Sequence, residues 1–396
     1  MDIGRKILVE KRRKGGGMKI GIFGGSFDPV HIEHVRLAEA AISSLGLDKL
    51  FIMPASTPPH KQGKRMAPAE DRLQMCRLAF AAYPQVEICD YEIQQAGTSY
   101  TYLTCRHFKE IYPDARLFWL VGTDMLRDFP TWKHPERILS DATLAVCSRA
   151  EQPDWEEKEQ AVFYRRFGKN FAVIHYTASP VSSTQIRVLA GAGMRITHLT
   201  DKKVAAYIEK NGLYEIAFIK DALALQKPER AQHSIRVALA AAKVGNTLRI
   251  PEEQVLQAAL LHDCAKNLTI EHPLLKAFSI DAQYGDVPAS VWHQFAGAYL
   301  AEHKFGVQDQ DVCNAIRFHT SGRAAMSALE QLIFLADIVE DGRTFAGIEE
   351  LRELFYQGKL QDCMRLALER SLQFLQEKKA DVYPLTLQAY AYYQEK

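Results

Sequence analysis

The hydrophobic period of this chain changes once, near residue 220, and that change restricts the fold more than any single motif. From Met18 to about Tyr214, short β-rich runs (KIGIFGG, KLFIMPA, QVEICDYEI, RLFWLVGTD, ATLAVCS and FAVIHY) alternate with helical stretches. Strands that alternate with helices read as a parallel α/β sheet. From about Asp221 onward the strand pattern stops. Alanine- and leucine-rich helical periods take over in SIRVALAAAKV, EQVLQAALLHDCAK and ALEQLIFLADIV. The expected layout is an α/β domain over 18–214, a linker over 215–224 with Pro228 as a late breaker, and an all-α domain over 225–396. At 396 residues the chain is long enough for two domains.

The first 17 residues, MDIGRKILVEKRRKGGG, are basic and end in three glycines. They lack the apolar core and cleavage site of a signal peptide. Met18 then opens a clear strand, so 1–17 reads as a disordered basic leader and Met18 as the natural start. A net charge of +1 gives no overall basic field for nucleic acid and no acidic tail. Seven cysteines without a CxxC pair do not form a disulfide framework and read as free thiols in a reducing cytoplasm. No apolar run reaches the roughly 18 residues that a transmembrane helix needs, so no membrane partner is expected. A homo-oligomeric state stays open.

The first chemical signal is FGGSFDPVHIEH, Phe23–His34. A strand ends at Phe23, and Gly24, Gly25 and Ser26 follow. Glycines there let main-chain N–H groups approach a phosphate. Asp28-Pro29 is a turn, and a helix is expected to start near Val30 or His31. A strand, a glycine turn and a helix N-terminus together make an anion site. His31 and His34 share one helix face. They are either half of a metal site or donors aimed at a phosphate. No nearby Cys or His completes a zinc set, which favours phosphate. Far along the chain, Ser182, Ser183, Thr184 and Arg187 (SSTQIR) place hydroxyls and a guanidinium at a second helix start, a grip suited to outer phosphates of a nucleoside triphosphate.

GGSFDPVHIEH together with SSTQIR resembles the HxGH nucleotidyltransferases, and more closely the bacterial nicotinate-nucleotide adenylyltransferases. FIMPASTPPHK (Phe51–Lys61), the TSYT run at 98–101, FWLVGTDMLRDFPTWKHPERIL (Phe118–Leu139) and VAAYIEKNGLY extend the likeness from about Lys19 to Tyr214. The resemblance implies a Rossmann-like domain that joins ATP and nicotinate mononucleotide into the deamido dinucleotide, releasing pyrophosphate, with Mg²⁺. It implies that Gly24, Gly25, Ser26, Phe27, His31, His34, Ser183, Thr184 and Arg187 bind ATP, with His31, His34 and Arg187 catalytic. It places Lys61, Thr98, Ser99, Tyr100, Asp124 and Trp132 around the mononucleotide, and His60 in a loop near the phosphates. One position departs from the family: the glycine of HxGH is Glu33 here. That carboxylate either points outward or sits beside ATP. In the second case Glu33→Gly would lower the KM for ATP.

The helical half spaces histidines and aspartates along successive helices: His233 in QHSIRV, His262-Asp263 in ALLHDCAKN, His293 in VWHQFAG, His319-Thr320 in AIRFHTSG, and Asp337 in IFLADIVEDGR. Burying that many polar groups is costly unless a metal or substrate compensates. Imidazole and carboxylate ligands suit iron, manganese or zinc. PERAQHSIRVA, ALLHDCAKN, HTSGR and LADIVEDGR resemble the His-Asp metal phosphohydrolases, and within them the bacterial enzymes that cleave symmetrical dinucleoside tetraphosphates to two ADP with iron. The resemblance implies an all-α His-Asp phosphohydrolase domain. Its metal would be held by His233, His262, Asp263 (also catalytic) and Asp337. Arg230, Thr320 and Arg343 would meet the phosphates of dinucleoside polyphosphates, and His293 and His319 would either touch those phosphates or ligate a second metal. The family's EPxR reads EDGR here, which loosens the placement of Arg343. The rival readings are transfer to another acceptor, such as pantetheine phosphate, and a second half that senses a nucleotide without cleaving it.

Overall fold

The computed structural model describes residues 17–56, 66–95, 100–148, 154–216 and 218–395. They divide into two compact units, one ending at Val181 and the other running from Ser182 onward with Met66 added to it.

The first unit holds six strands: β1 (Lys19–Gly25), β2 (Lys49–Pro54), β3 (Val86–Ile88), β4 (Arg116–Gly122), β5 (Ala142–Ser148) and β6 (Ala172–His175). All pair in parallel, in the order β3-β2-β1-β4-β5-β6. Both faces are covered by helices, so the central strands read as unbroken apolar runs. Ile20, Ile22, Leu50, Ile52, Leu144 and Val146 are fully buried. The helices are α1 (Ile32–Leu45), α2 (Ala69–Ala79), α3 (Tyr91–Gln94), α4 (Thr101–Ile111), α5 (Thr123–Asp128), α6 (Pro135–Asp141) and α7 (Trp155–Phe167). From β1 the chain runs outward to β3, then returns to place β4 on the other side of β1. The carboxyl ends of β1 and β4 therefore flank the topological switch point, where open α/β sheets bind ligands. Gly25 and Gly122 end those two strands.

The second unit is entirely helical among the described residues. It contains α8 (Ser183–Gly191), α9 (Lys202–Lys210), α10 (Ile219–Ala224), α11 (Pro228–Thr247), α12 (Glu252–Leu261), α13 (Trp292–His303), α14 (Gln310–Arg317), α15 (Ala328–Val339), α16 (Ile348–Tyr356), α17 (Leu360–Glu377) and α18 (Pro384–Gln394). One core joins Val237, Ala241 and Val244 of α11 to Leu256 and Leu260 of α12 and Leu332 and Leu335 of α15. Small residues let these helices approach closely: a Cβ on Gly245 would lie 2.9 Å from Val255. Packing divides the chain earlier than the change of hydrophobic period does. Val188 of α8 and Ala192 after it sit in this helical core, so α8 packs with the second unit although it follows directly on the last strand.

Candidate active sites

At the switch point of the first unit, β1 passes into the glycine turn and then α1. Only glycine fits at 24, because a Cβ there would come within 2.9 Å of the Trp119 indole on β4. Phe27 holds a φ of 47° and is buried against Phe23 and His34, at ring distances of 5.3 and 4.9 Å. His31 is the N-cap of α1, and His34 lies one turn in. Their rings are 3.7 Å apart. The main-chain N–H of His31 donates to Nδ1 of His34 at 3.2 Å. With Nδ1 accepting, the proton of a neutral His34 sits on Nε2, where it is a donor. Among the described residues, the groupings of three or more His, Cys, Asp or Glu with the spacing of a metal site lie in the second unit.

Glu33 lies away from that donor face. Its carboxylate is buried and accepts from the Ser179 hydroxyl at 2.6 Å, the Ser179 amide at 3.0 Å and Arg36 at 3.0 Å. Burial opposes its ionisation, but the Ser179 and Arg36 donors outweigh burial and hold the carboxyl below its ordinary range. Donors from Ser179 and Arg36 already surround that charge.

Asp124 is exposed in the first turn of α5, directly after β4 and at the carboxyl edge of the sheet. Trp132 packs half-buried on the core beside Phe129. Its neighbour Lys133 stands 4.2 Å over the Tyr100 ring, which brings the 100 and 132 segments together. His60, Lys61, Thr98, Ser99 and the leader up to residue 16 lie outside the described residues.

In the second unit, Ser182 caps α8 by accepting from the Gln185 amide at 3.1 Å. Ser183 and Thr184 open that helix. Arg187 donates through Nε and Nη2 to the two carboxylate oxygens of Glu252, each at 2.6 Å, and through Nη2 to the Thr184 hydroxyl at 3.1 Å. Glu252 is the first residue of α12.

The six metal-type side chains of the helical half meet at one point. His233 comes from α11, His262 and Asp263 from the end of α12, His293 from α13, His319 from the end of α14, and Asp337 from α15. Asp263 is central: its oxygens lie 3.4 Å from Nε2 of each of His262, His293 and His319, and 3.9 Å from that of His233. Asp337 lies 3.0 Å from His233 Nε2. Three overlapping groups have their ligand atoms within 4.8 Å of one another: His233–His262–Asp263, His262–His319–Asp337 and Asp263–His293–His319. The cluster fits a cation. Nδ1 of His262 and of His319 face the carbonyls of Ala259 and Ile316 at 2.6 and 2.8 Å, which fixes the proton there and turns the Nε2 lone pairs inward. His262 Nε2 and Asp263 Oδ1 are buried, and their imidazole–carboxylate pairs come no closer than 3.4 Å, while His233 Nε2 faces Asp337. Such atoms are costly unless a ligand satisfies them.

Against the effect of burial, Asp263 raises the pKa of His262 above its ordinary value. Burial opposes ionisation of Asp263, but His262, His293 and His319 outweigh it and hold the carboxyl well below the usual range. Burial lowers His293 to about 4, against the pull of Asp263, so it is neutral at pH 7. Arg230 contacts Asp263 at 2.9 Å, Arg343 contacts Asp337 at 2.6 Å, and the Thr320 hydroxyl is 3.2 Å from His293. A cavity of about 320 Å³ opens beside the cluster, lined by the cations Lys227, Arg230, Arg236 and Arg343 together with the carboxylates Glu229 and Glu340.

Sequence reasoning missed three residues around this centre. Glu340 is buried and accepts at 3.0 Å from His233 Nδ1, with Arg236 and the Gly342 amide on its other oxygen. Lys266 lies 3.1 Å from His293 Nε2. Gln294 accepts from the Thr320 and Ser321 amides at 3.1 and 3.0 Å and so holds the turn that carries His319. The available signals were Lys266 three residues after Asp263 and Glu340 three after Asp337.

Known proteins divide the chain in a related way. A cytidylyltransferase-like family model matches residues 22–189, and an HD domain model matches 230–342. A Mycoplasma genitalium protein named probable nicotinate-nucleotide adenylyltransferase/Ap4A hydrolase is 29% identical over 326 residues, 82% of this chain and 88% of its own. A Desulfatibacillum aliphaticivorans protein named probable nicotinate-nucleotide adenylyltransferase is 36% identical over 217 residues, covering 50% of this chain and 100% of its own. A solved Clostridium acetobutylicum structure, described as a predicted HD superfamily hydrolase involved in NAD metabolism, is 31% identical. It covers 45% of this chain and 95% of its own, with a TM-score of 0.39.

Proposed function

Because the chain belongs to the nicotinate-nucleotide adenylyltransferase family and carries an HD domain behind that part, we propose that it runs two reactions. The first transfers the adenylyl group of ATP to nicotinate mononucleotide. The second hydrolyses diadenosine tetraphosphate to two ADP.

The observation that carries the first reading is the glycine turn at the switch point with the paired His31 and His34 rings behind it. A phosphate oxygen of the mononucleotide attacks the α-phosphorus of ATP, and the bond to the β-phosphate oxygen breaks to release pyrophosphate. No side chain needs to form a covalent bond, so the protein supplies position and charge. His34 Nε2–H and His31 donate as charge moves onto the leaving group, with Ser183, Thr184 and Arg187 as further phosphate contacts. Mg²⁺ neutralises phosphate charge when bound. Tyr100, Asp124 and Trp132, with Lys61, Thr98 and Ser99, serve the mononucleotide.

The second reading rests on the convergence of six imidazoles and carboxylates with inward-facing Nε2 atoms. His233, His262, Asp263 and Asp337 would hold an iron or another transition metal. When bound, such a metal supplies Lewis-acid activation of water. Arg230, Arg343 and Thr320 orient the phosphates, and His293 and His319 either ligate or donate. All seven cysteines are free thiols, which suits a cytoplasmic enzyme. No described helix is long and apolar enough to cross a membrane.

The test is product chromatography. ATP with a panel of mononucleotides should give one deamido dinucleotide, and diadenosine tetraphosphate with Fe²⁺ should give ADP alone. Binding of the tetraphosphate without turnover would make the helical half a sensor.

A further inference from the structure

Arg72, in the first turn of α2, is 1% exposed, and no phosphate or metal role is assigned to it above. Its guanidinium reaches four main-chain oxygens. Nη1 donates to Ser26 O and Ala55 O at 2.8 Å each, Nη2 to Ser56 O at 3.2 Å, and Nε to Ala67 O at 3.0 Å. Those oxygens come from three segments: the turn after β1, the end of β2, and the approach to α2. Burying a cation is expensive, and an apolar side chain would fill the same space without that cost. What only a planar fork provides is several donors fixed in direction at once.

The direction matters at Ser26. Across a trans peptide the carbonyl and the next N–H point to opposite sides. Holding the Ser26 oxygen toward Arg72 turns the Phe27 N–H away from it. Phe27 sits at a φ of 47°, a left-handed conformation that a bulky residue keeps only where its surroundings impose it. Arg72 holds the preceding peptide by its carbonyl, while the Phe23 and His34 rings pack on the Phe27 side chain.

We propose that Arg72 is a positioning residue for adenylyl transfer, fixing the Ser26 carbonyl so that the main-chain N–H groups of the Gly25–Phe27 turn face the triphosphate. This rests on the adenylyl-transfer reading of the first unit.

The test uses the full chain with Arg72→Lys and Arg72→Gln. Lysine keeps the charge but cannot serve three segments, and glutamine keeps two donors without the charge. The KM for ATP should rise about tenfold in Arg72→Lys, the effect of losing one well-aimed donor. The KM for nicotinate mononucleotide should stay within about twofold, and amide exchange over 24–28 should quicken. A poorly folded variant still reports, because a smaller active fraction lowers apparent kcat and leaves KM alone. An unchanged KM for ATP in both variants, or both KM values rising together, overturns the proposal. A wild-type protein that makes no dinucleotide instead brings down the adenylyl-transfer reading. In that case exchange over 24–28 with ATP added still separates the two failures, since protection in wild type that Arg72→Lys loses supports the positioning role and equal protection in both removes it.

Discussion

Glu33 and Ser179 stand 146 residues apart, and one carboxylate joins them, taking the serine hydroxyl at 2.6 Å and its amide at 3.0 Å. The contact ties the first turn of α1 to the segment after β6. Glu33 thus acts as a strut between two elements.

Replacing Glu33 by Gln should therefore lower thermal stability at pH 7, by about 1–2 kcal/mol for a weakened buried hydrogen-bond set. The folded carboxyl titrates below its ordinary range. Its stabilisation is complete above the unfolded value of about 4.3 and is lost as pH falls through the folded value. The melting gap between wild type and variant should be wide at pH 7 and close in acid, without a fall in the KM for ATP. A gap that stays constant with pH would show that the charge contributes nothing.

His34→Ala should leave the circular dichroism spectrum unchanged and lower adenylyl transfer by about 10²–10³, the usual effect of removing one transition-state donor. Near-normal turnover at saturating ATP would remove His34 from that role.

Asp263→Ala should separate the two activities. Its oxygens stand 3.4 Å from three imidazoles, so its loss leaves the cluster short of negative charge. Bound metal and tetraphosphate hydrolysis should fall together, while dinucleotide synthesis with Mg²⁺ persists. Loss of both activities in a folded protein would mean that the two reactions share machinery.

Glu340→Gln keeps every side chain of the cluster but weakens the carboxylate that orients His233. Metal affinity should fall about 10–100-fold, read by titration of metal-stripped protein. Wild-type affinity would show that His233 is held by packing alone.

Much of this was legible before any coordinates. Parallel strands buried on both faces leave continuous apolar runs, so KIGIFGG and RLFWLVG stand out. A His-Asp pair at the end of an apolar helix is equally visible. Arg72, Glu340 and Gln294 were not, because their partners are main-chain atoms or lie far along the chain: Glu340 meets His233 across 107 residues. The destination of α8 was hidden too. Its apolar face, with Ile186 and Val188 buried, would suit a sheet as well as a helical core, and only packing decides.

Arg187 lies in the SSTQIR segment, and its bidentate partner Glu252 opens the helix that ends at the His262–Asp263 pair. A recombination joint placed near residue 214, where the sequence patterns part, would draw these two residues from different ancestors. Each chimera would inherit a half-buried charge without its counter-charge, and a change at either position would select for compensation at the other. A joint at that point is thus unfavourable: it would part Arg187 from Glu252, and Val188 and Ala192 from the helical core in which they pack.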